Sequence, residues 1–330
     1  MNVICAYAVN LDALCDVNSS QLQPLLPPDP SSEKIGLKSS IARMEDLLSS
    51  LLYCMREGSG AEILIESPAL ASRIERAFTW RMRLGGNAGI MANVLADLGS
   101  RPVLNAPAMG PRLAALLHPE VRLHLSGSLV GPGRVASSKK DDRTEPVHFV
   151  LQFKKGEEFL SGRDMFIVPQ DNRFIASYDP VNTALASSRD FDSYCLEHIS
   201  VFSGAMVSGF HLLPLQNYGK ILPEKIKQLR FWKKRNPNLF IHLELGSFQS
   251  PQIMSHLLDL ISEVPIDSLG MNQEELDAAA GLLKLSIKTN PPASWQKSIM
   301  AAELLQDKTG ISRVSVHTRD YILSVIRDGL

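Results

Sequence analysis

From about residue 190 onward, short strand-like apolar runs at 198–203, 239–245, 267–271 and 311–317 alternate with helical runs at 223–235, 251–263 and 273–284. No other feature constrains the fold as much. Strands joined through helices pair in parallel, and their crossovers are right-handed. The opening run from Val3 to Val9 is apolar and bounded by Asn10 and Asp12, as expected of a strand buried on both faces of such a sheet. A chain of 330 residues that is 45% hydrophobic has room for one large domain and a smaller one.

Other segments depart from the alternation. Residues 24–32 (PLLPPDPSS) cannot continue regular structure, because proline fixes its backbone angle and removes a donor. Ile41, Met44, Leu47, Leu48, Leu51 and Leu52 recur at helical spacing and predict an amphipathic helix over 38–57 that ends near Gly58. Residues 147–160 alternate with period two about a Lys-Gly centre, which predicts a β-hairpin exposed on one side. Residues 131–146 read as a charged, mobile loop.

Lys and Arg (34) balance Asp and Glu (35), so no overall field favours nucleic acid or an acidic membrane. Small-molecule partners are expected instead. The four cysteines form no CxxC pair, and no apolar run reaches the roughly 18 residues needed to span a bilayer. With no leader-like N-terminus, the expectation is a cytoplasmic protein.

Several polar groups fall where ligands bind in open α/β sheets. In the strand 239–245, His242 and Glu244 share the face opposite Leu239, Ile241, Leu243 and Leu245, near the C-terminal end. His-x-Glu can bind a divalent cation or order its water; a hydrogen-bonded core histidine is the plain alternative. The next run ends in Asn272-Gln273-Glu274-Glu275, where Asn272 and Glu275 form either part of the same cation and phosphate platform or an ordinary capping box. Gly85-Gly86-Asn87 precedes a helical stripe of Ile90, Met91, Val94, Leu95 and Leu98, so backbone amides could approach a ligand there, unless the pair is only a tight turn. Asn10 and Asp12 share one face at the end of the first strand and could hold vicinal hydroxyls, or form a turn. Glu62 is a further candidate hydroxyl acceptor.

In order along nearly the whole chain, seven motifs resemble the ADP-dependent glucokinase and phosphofructokinase family. They are Asn10-x-Asp12, the run Gly85 to Asn93, Asn172-Arg173-Phe174-Ile175, Ser203-Gly204, His242-Leu243-Glu244, the run Asp267 to Leu276, and Val316-His317-Thr318. The resemblance implies a ribokinase-like three-layer αβα core with a smaller β-rich lid. On this reading residues 1–15, 78–117 and 190–330 form the large nucleotide- and magnesium-binding domain, and 16–77 and 118–189 form the lid and connecting segments. It further implies transfer of the β-phosphoryl group of Mg²⁺-bound ADP to fructose 6-phosphate, glucose or both. Asn10, Asp12, Glu62, Gly85, Gly86 and Asn87 match sugar-contacting positions. Glu244 and Glu275 match magnesium-associated carboxylates, supported by His242 and Asn272. Arg173 matches an arginine that stabilises phosphate, and with Lys154 and Lys155 it offers cations to a sugar phosphate.

The family places its catalytic Asp in a Gly-x-Gly-Asp motif near the C-terminus, and that motif occurs nowhere in the 330 residues. The expectation is therefore that the chain stops before the base and has little activity alone. The competing expectation is a catalytically inactive sugar-binding or regulatory remnant.

Overall fold

The computed structural model describes residues 1–26, 35–137, 145–161, 164–248, 250–264, 266–285 and 294–327. Of the segments expected to be irregular, 27–34 and 138–144 lie outside the described residues.

In chain order the elements are β1 (Asn2–Ala6), β2 (Asn10–Asp16), α1 (Ser19–Leu22), α2 (Met44–Glu57), β3 (Ala61–Leu64), α3 (Pro68–Ala77), β4 (Arg81–Gly85), α4 (Asn87–Asp97), β5 (Arg101–Leu104), α5 (Pro111–Ala114), β6 (Arg122–Leu125), β7 (Ser128–Val130) and α6 (Pro132–Ala136). They continue with β8 (Val147–Phe153), β9 (Glu158–Ser161), β10 (Asp164–Ile167), β11 (Asn172–Tyr178), α7 (Arg189–Glu197), β12 (Gly204–Val207), α8 (Tyr218–Arg235), β13 (Phe240–Glu244), α9 (Pro251–Ile261), β14 (Ser268–Asn272), α10 (Gln273–Leu282), α11 (Ser294–Thr309), β15 (Arg313–His317) and β16 (Ile322–Ile326).

The chain forms two compact units. The larger comprises Met1–Val9, Gly86–Arg143 and Val181–Leu330; the smaller comprises Asn10–Gly85 and Thr144–Pro180. These crossing points differ from the boundaries drawn from sequence, because β2 and β4 pair with each other in the smaller unit's sheet.

The larger unit is built on a nine-stranded sheet of order β16-β15-β14-β13-β12-β1-β5-β6-β7. Its interior strands are parallel, and β16 and β7 run antiparallel at the edges. The steps from β12 through β15 all move one way along the sheet, so right-handed crossovers put α8 to α11 on one face. The step from β1 to β5 moves the other way and puts α4 on the opposite face. The result is a helix–sheet–helix sandwich. On the α8–α11 face Ile4, Ala205, Ile241, Leu269 and Val314 pack with Leu229, Trp232, Leu257 and Leu305.

The smaller unit has a five-stranded sheet of order β3-β11-β8-β2-β4 and a separate β9–β10 hairpin. β8 lies at its centre, parallel to β2 and antiparallel to β11.

Five expectations need correction. The opening apolar run is two strands in two different sheets, so Asn10 and Asp12 begin the second strand and do not end the first. Both strands are buried, and hydropathy has no signal where the chain changes sheets. The helix expected over 38–57 begins at Met44: Ile41 bridges Ile65, and the Asp46 carboxylate accepts the N–H groups of Ala42 and Arg43 to start the first turn. It ends as expected at Gly58, whose φ of 64° suits glycine. β8 does not fold back onto β9. It is buried on both faces between β2 and β11, and β9 pairs with β10. In α4 the large apolar residues Ile90, Val94 and Leu98 face outward, while Ala88, Gly89, Ala92 and Ala96 are buried. The run expected as a strand at 198–203 is a 3₁₀ turn leading into β12.

Candidate functional site

In the smaller unit, strand register places a row of polar side chains side by side. Arg83 on β4 lies opposite Asp12 on β2, Asp12 opposite His148 on β8, and His148 opposite Ser177 on β11. Residues directly opposite in a sheet share a face, so pairing alone assembles this row. Asn10 Nδ2 donates to Asp12 Oδ1 at 2.8 Å, and Arg83 reaches Asp12 Oδ2 at 3.4 Å. A β-carbon on Gly85 would collide with both Asp12 Oδ1 and Asn10 Nδ2. Glycine here leaves the space that the Asn10–Asp12 pair occupies.

Farther along the row, Ser177 Oγ donates to Glu62 Oε1 at 2.6 Å, and His148 Nδ1 lies 3.6 Å from the same oxygen. His148 Nε2 lies 2.9 Å from Asp179 Oδ2, a carboxylate with no exposed side-chain surface. Burial alone would lower the His148 pKa. The hydrogen bond to Asp179 and the charges of Glu62, Asp179 and Asp12 outweigh it and raise the pKa to about 9. The balance favours the charged imidazole.

Arg173, at the start of β11, is exposed, and its guanidinium makes no hydrogen bond or ion pair among the described residues. Lys154 and Lys155 are also exposed.

Gly86 and Asn87 start α4 in the larger unit. Gly86 has φ 76°, and a β-carbon there would meet Ala8 O at 2.5 Å and Val9 Cα at 2.7 Å. The Ala88 N–H donates to Ala8 O at 3.1 Å, which fastens the helix start to the end of the first strand segment.

At the C-terminal rim of the nine-stranded sheet, His242 bridges two partners. Its Nδ1 lies 2.9 Å from Ser268 Oγ and its Nε2 lies 3.1 Å from Glu244 Oε2. Arg313 Nε donates to the same Ser268 hydroxyl at 2.8 Å. His317 Nδ1 approaches Glu244 Oε1 at 3.7 Å. Asn272 caps α10 with a complete capping box: Glu275 N donates to Asn272 Oδ1 at 2.9 Å, and Asn272 N donates to Glu275 Oε2 at 2.9 Å. The capping role weighed from sequence is thus realised, with the carboxylate also buried. Burial raises the Glu275 pKa most. The Asn272 backbone hydrogen bond opposes the rise, and the charge of Glu244 adds to it.

Among the described residues, no three His, Cys, Asp or Glu side chains are grouped to enclose a metal ion. The donor set nevertheless fits magnesium, which keeps most of its water and takes one or two carboxylates, better than it fits a metal held in an all-protein cage. Glu244 and Glu275 repel each other in a buried setting, and a hard cation relieves that repulsion. A cavity of about 370 Å³ adjoins Glu275, and its lining includes Phe248, Met254 and Leu282 together with Glu274 and Asp277.

The model of the family described as the ADP-specific phosphofructokinase/glucokinase conserved region matches residues 1–329. The chain belongs to that family. It is 27% identical over 334 residues to an ADP-dependent glucose/glucosamine kinase of Pyrococcus furiosus, covering 98% of this chain and 72% of that protein. It is also 27% identical over 360 residues to an ADP-specific phosphofructokinase of Methanosarcina acetivorans, covering 98% and 70%. The fold matches a hypothetical ADP-dependent phosphofructokinase from Pyrococcus horikoshii OT3 with a TM-score of 0.80 at 22% identity, over 100% of this chain and 76% of that one. An ADP-dependent kinase solved with fructose-6-phosphate and ADPbetaS matches with a TM-score of 0.76 at 22% identity, over 99% and 69%.

Sequence reasoning about individual residues missed His148, Ser177, Asp179 and Arg83. The one available signal was His148 itself, a lone imidazole inside the apolar strand VHFVLQF. It also missed Gly270, where a β-carbon would collide with Glu244 Oε2, because glycine in a strand carries no chemistry of its own.

Proposed function

We propose that the chain is an ADP-dependent sugar kinase that passes the β-phosphoryl group of magnesium-bound ADP to a hydroxyl of glucose or fructose 6-phosphate, leaving AMP. The observation that carries the reading is the row Asp12–His148–Ser177 with Glu62 beside it. Carboxylates held in place by neighbouring donors are suited to accept hydroxyl protons from a polyol, and family membership supplies the phosphoryl donor.

In this reading Asp12, fixed by Asn10 and given room by Gly85, accepts from the sugar. Glu62, fixed by Ser177, accepts from a second hydroxyl. The exposed Arg173 guanidinium offers a forked donor to phosphate. Gly86 and Asn87 present the start of α4 to an anionic or hydroxyl group. Glu244 and Glu275 would hold the magnesium ion, with His242, Asn272 and His317 fixing those carboxylates. When bound, that ion offsets the negative charge on the diphosphate. The apolar residues lining the cavity beside Glu275 offer contacts to a nucleobase, while its carboxylates call for an accompanying cation if a diphosphate is to enter.

The test is calorimetric titration of the chain with glucose, fructose 6-phosphate, ADP and ATP, with and without magnesium, followed by assay for sugar phosphate and AMP. Sugar binding with magnesium-dependent ADP binding is expected, with little AMP release, since no Gly-x-Gly-Asp occurs in the 330 residues. Sugar binding without magnesium-dependent ADP binding would remove the phosphoryl donor from the proposal. Failure of both sugars to bind would overturn it.

A further inference from the structure

The polar row contains one buried carboxylate that takes no part in the assigned sugar contacts, Asp179. We infer that Asp179 is a positioning residue for the sugar site: its hydrogen bond to Nε2 holds the His148 ring charged, with Nδ1 turned toward the Glu62 carboxylate as an ion pair. The inference rests on the sugar-binding role proposed for Glu62 and Asp12.

The geometry carries the argument. The two ring nitrogens of His148 each face a carboxylate oxygen, Asp179 Oδ2 at 2.9 Å and Glu62 Oε1 at 3.6 Å. A neutral imidazole donates from one nitrogen only and would turn its lone pair toward the other carboxylate. Both contacts are attractive only for the imidazolium. The shorter contact is to Asp179, which is fully buried and therefore gains most from a charged partner.

The groups facing the ring come from every neighbouring strand. Asp12 projects from β2, Ser177 from β11 and Glu62 from β3, while Asp179 follows β11. Arg83 on β4 stands behind Asp12, and Glu145 is buried just before β8. Three carboxylates thus surround one ring, and the raised pKa of about 9 agrees with a persistent imidazolium. Glu62 Oε1 then accepts the Ser177 hydroxyl at 2.6 Å and faces the charged ring at 3.6 Å, and both contacts draw it to the same place. Loss of the charge would remove the attraction between Glu62 and the ring and return negative charge to the site.

Asp179 therefore governs sugar affinity at neutral and alkaline pH without touching the sugar. Ring titration of His148 by long-range ¹H–¹⁵N spectroscopy tests the linkage in sugar-free protein, with His148→Gln identifying its signal among the eight histidines. The wild-type ring is expected to stay protonated to about 9. Asp179→Asn should lower the midpoint by about two units, to about 7, and Asp179→Glu should restore part of the shift. In calorimetry with glucose, wild-type affinity should stay level from about pH 6 to 8, while Asp179→Asn should lose roughly tenfold across that range as its ring deprotonates.

A wild-type His148 midpoint near 6.5, or a glucose–pH profile unchanged by Asp179→Asn, would overturn the inference. The titration on wild-type protein decides the first point even if the variant does not fold. If the ring titrates as expected and the wild type binds neither glucose nor fructose 6-phosphate, the sugar assignment fails while the Asp179–His148 linkage stands.

Discussion

Glu244 fills the space that a side chain at residue 270 would need. The two positions lie opposite each other in the β13–β14 register, and a β-carbon on Gly270 would collide with Glu244 Oε2 and approach the His242 ring at 2.7 Å. The carboxylate keeps its place between His242 and His317 because the neighbouring strand carries no side chain there.

Gly270→Ala should therefore displace Glu244 although it removes no polar group. Expected effects are about 1–3 kcal/mol of destabilisation from overpacking and loss of any magnesium-dependent rise in melting temperature. Thermal melts with and without magnesium measure both. An unchanged magnesium response would show that Glu244 is not a cation ligand.

Glu275 sets the pH range of that response. Its folded pKa is raised above the ordinary value of 4.5, so it favours folding below that value and the benefit is lost as pH rises through the folded pKa. At neutral pH its charge opposes folding, and a cation offsets the penalty. Magnesium should raise the melting temperature more at pH 7.5 than at pH 5, and Glu275→Gln should flatten the difference. An equal magnesium effect at the two pH values would remove Glu275 from the cation site.

On the sugar side, Asp12→Ala should weaken glucose or fructose 6-phosphate binding by about 1.5–3 kcal/mol, through loss of a charged acceptor. Gly85→Ala should act in the same direction, since its methyl group would displace Asp12 and Asn10. Calorimetry on both variants, with circular dichroism to establish folding, checks the pair. Wild-type affinity in Asp12→Ala would exclude that carboxylate from the pocket.

His148 should leave its own mark on stability. Its folded pKa of about 9 exceeds the unfolded value of 6.5, so its contribution is complete below 6.5 and disappears as pH rises to about 9. Denaturant midpoints of the wild type should decline over that window, and those of His148→Gln should decline less. Parallel curves would contradict a charged ring.

Much of this molecule was legible in its residues, for reasons that differ between its halves. The alternation after residue 190 specified β13, α9, β14 and α10 to within a few residues, because each step there is local and each strand is followed at once by its crossover helix. His242, Glu244, Asn272 and Glu275 were reached by counting to the ends of those strands. The smaller unit resisted because its pairings are distant in sequence: β2 meets β8 more than a hundred residues later, and β11 returns to β3. Asp12, His148 and Ser177 share a face only through those registers, and no single window contains two of them. The break between β1 and β2 was hidden for a related reason, since buried strands in either sheet read as one uninterrupted apolar run.

The helix that follows Gly86 inverts the usual map of mutational tolerance. α4 lies against β1 and β5 through Ala88, Gly89, Ala92 and Ala96, while Ile90, Val94 and Leu98 are 42%, 51% and 76% exposed. Its smallest positions are thus the fragile ones: Ala92→Leu would force the helix off the sheet and drag the Gly86–Asn87 turn with it. Its greasiest positions are free to change. Charged residues at 90, 94 and 98 would alter the protein's surface and solubility while leaving the floor of the helix, and the backbone it anchors, in place.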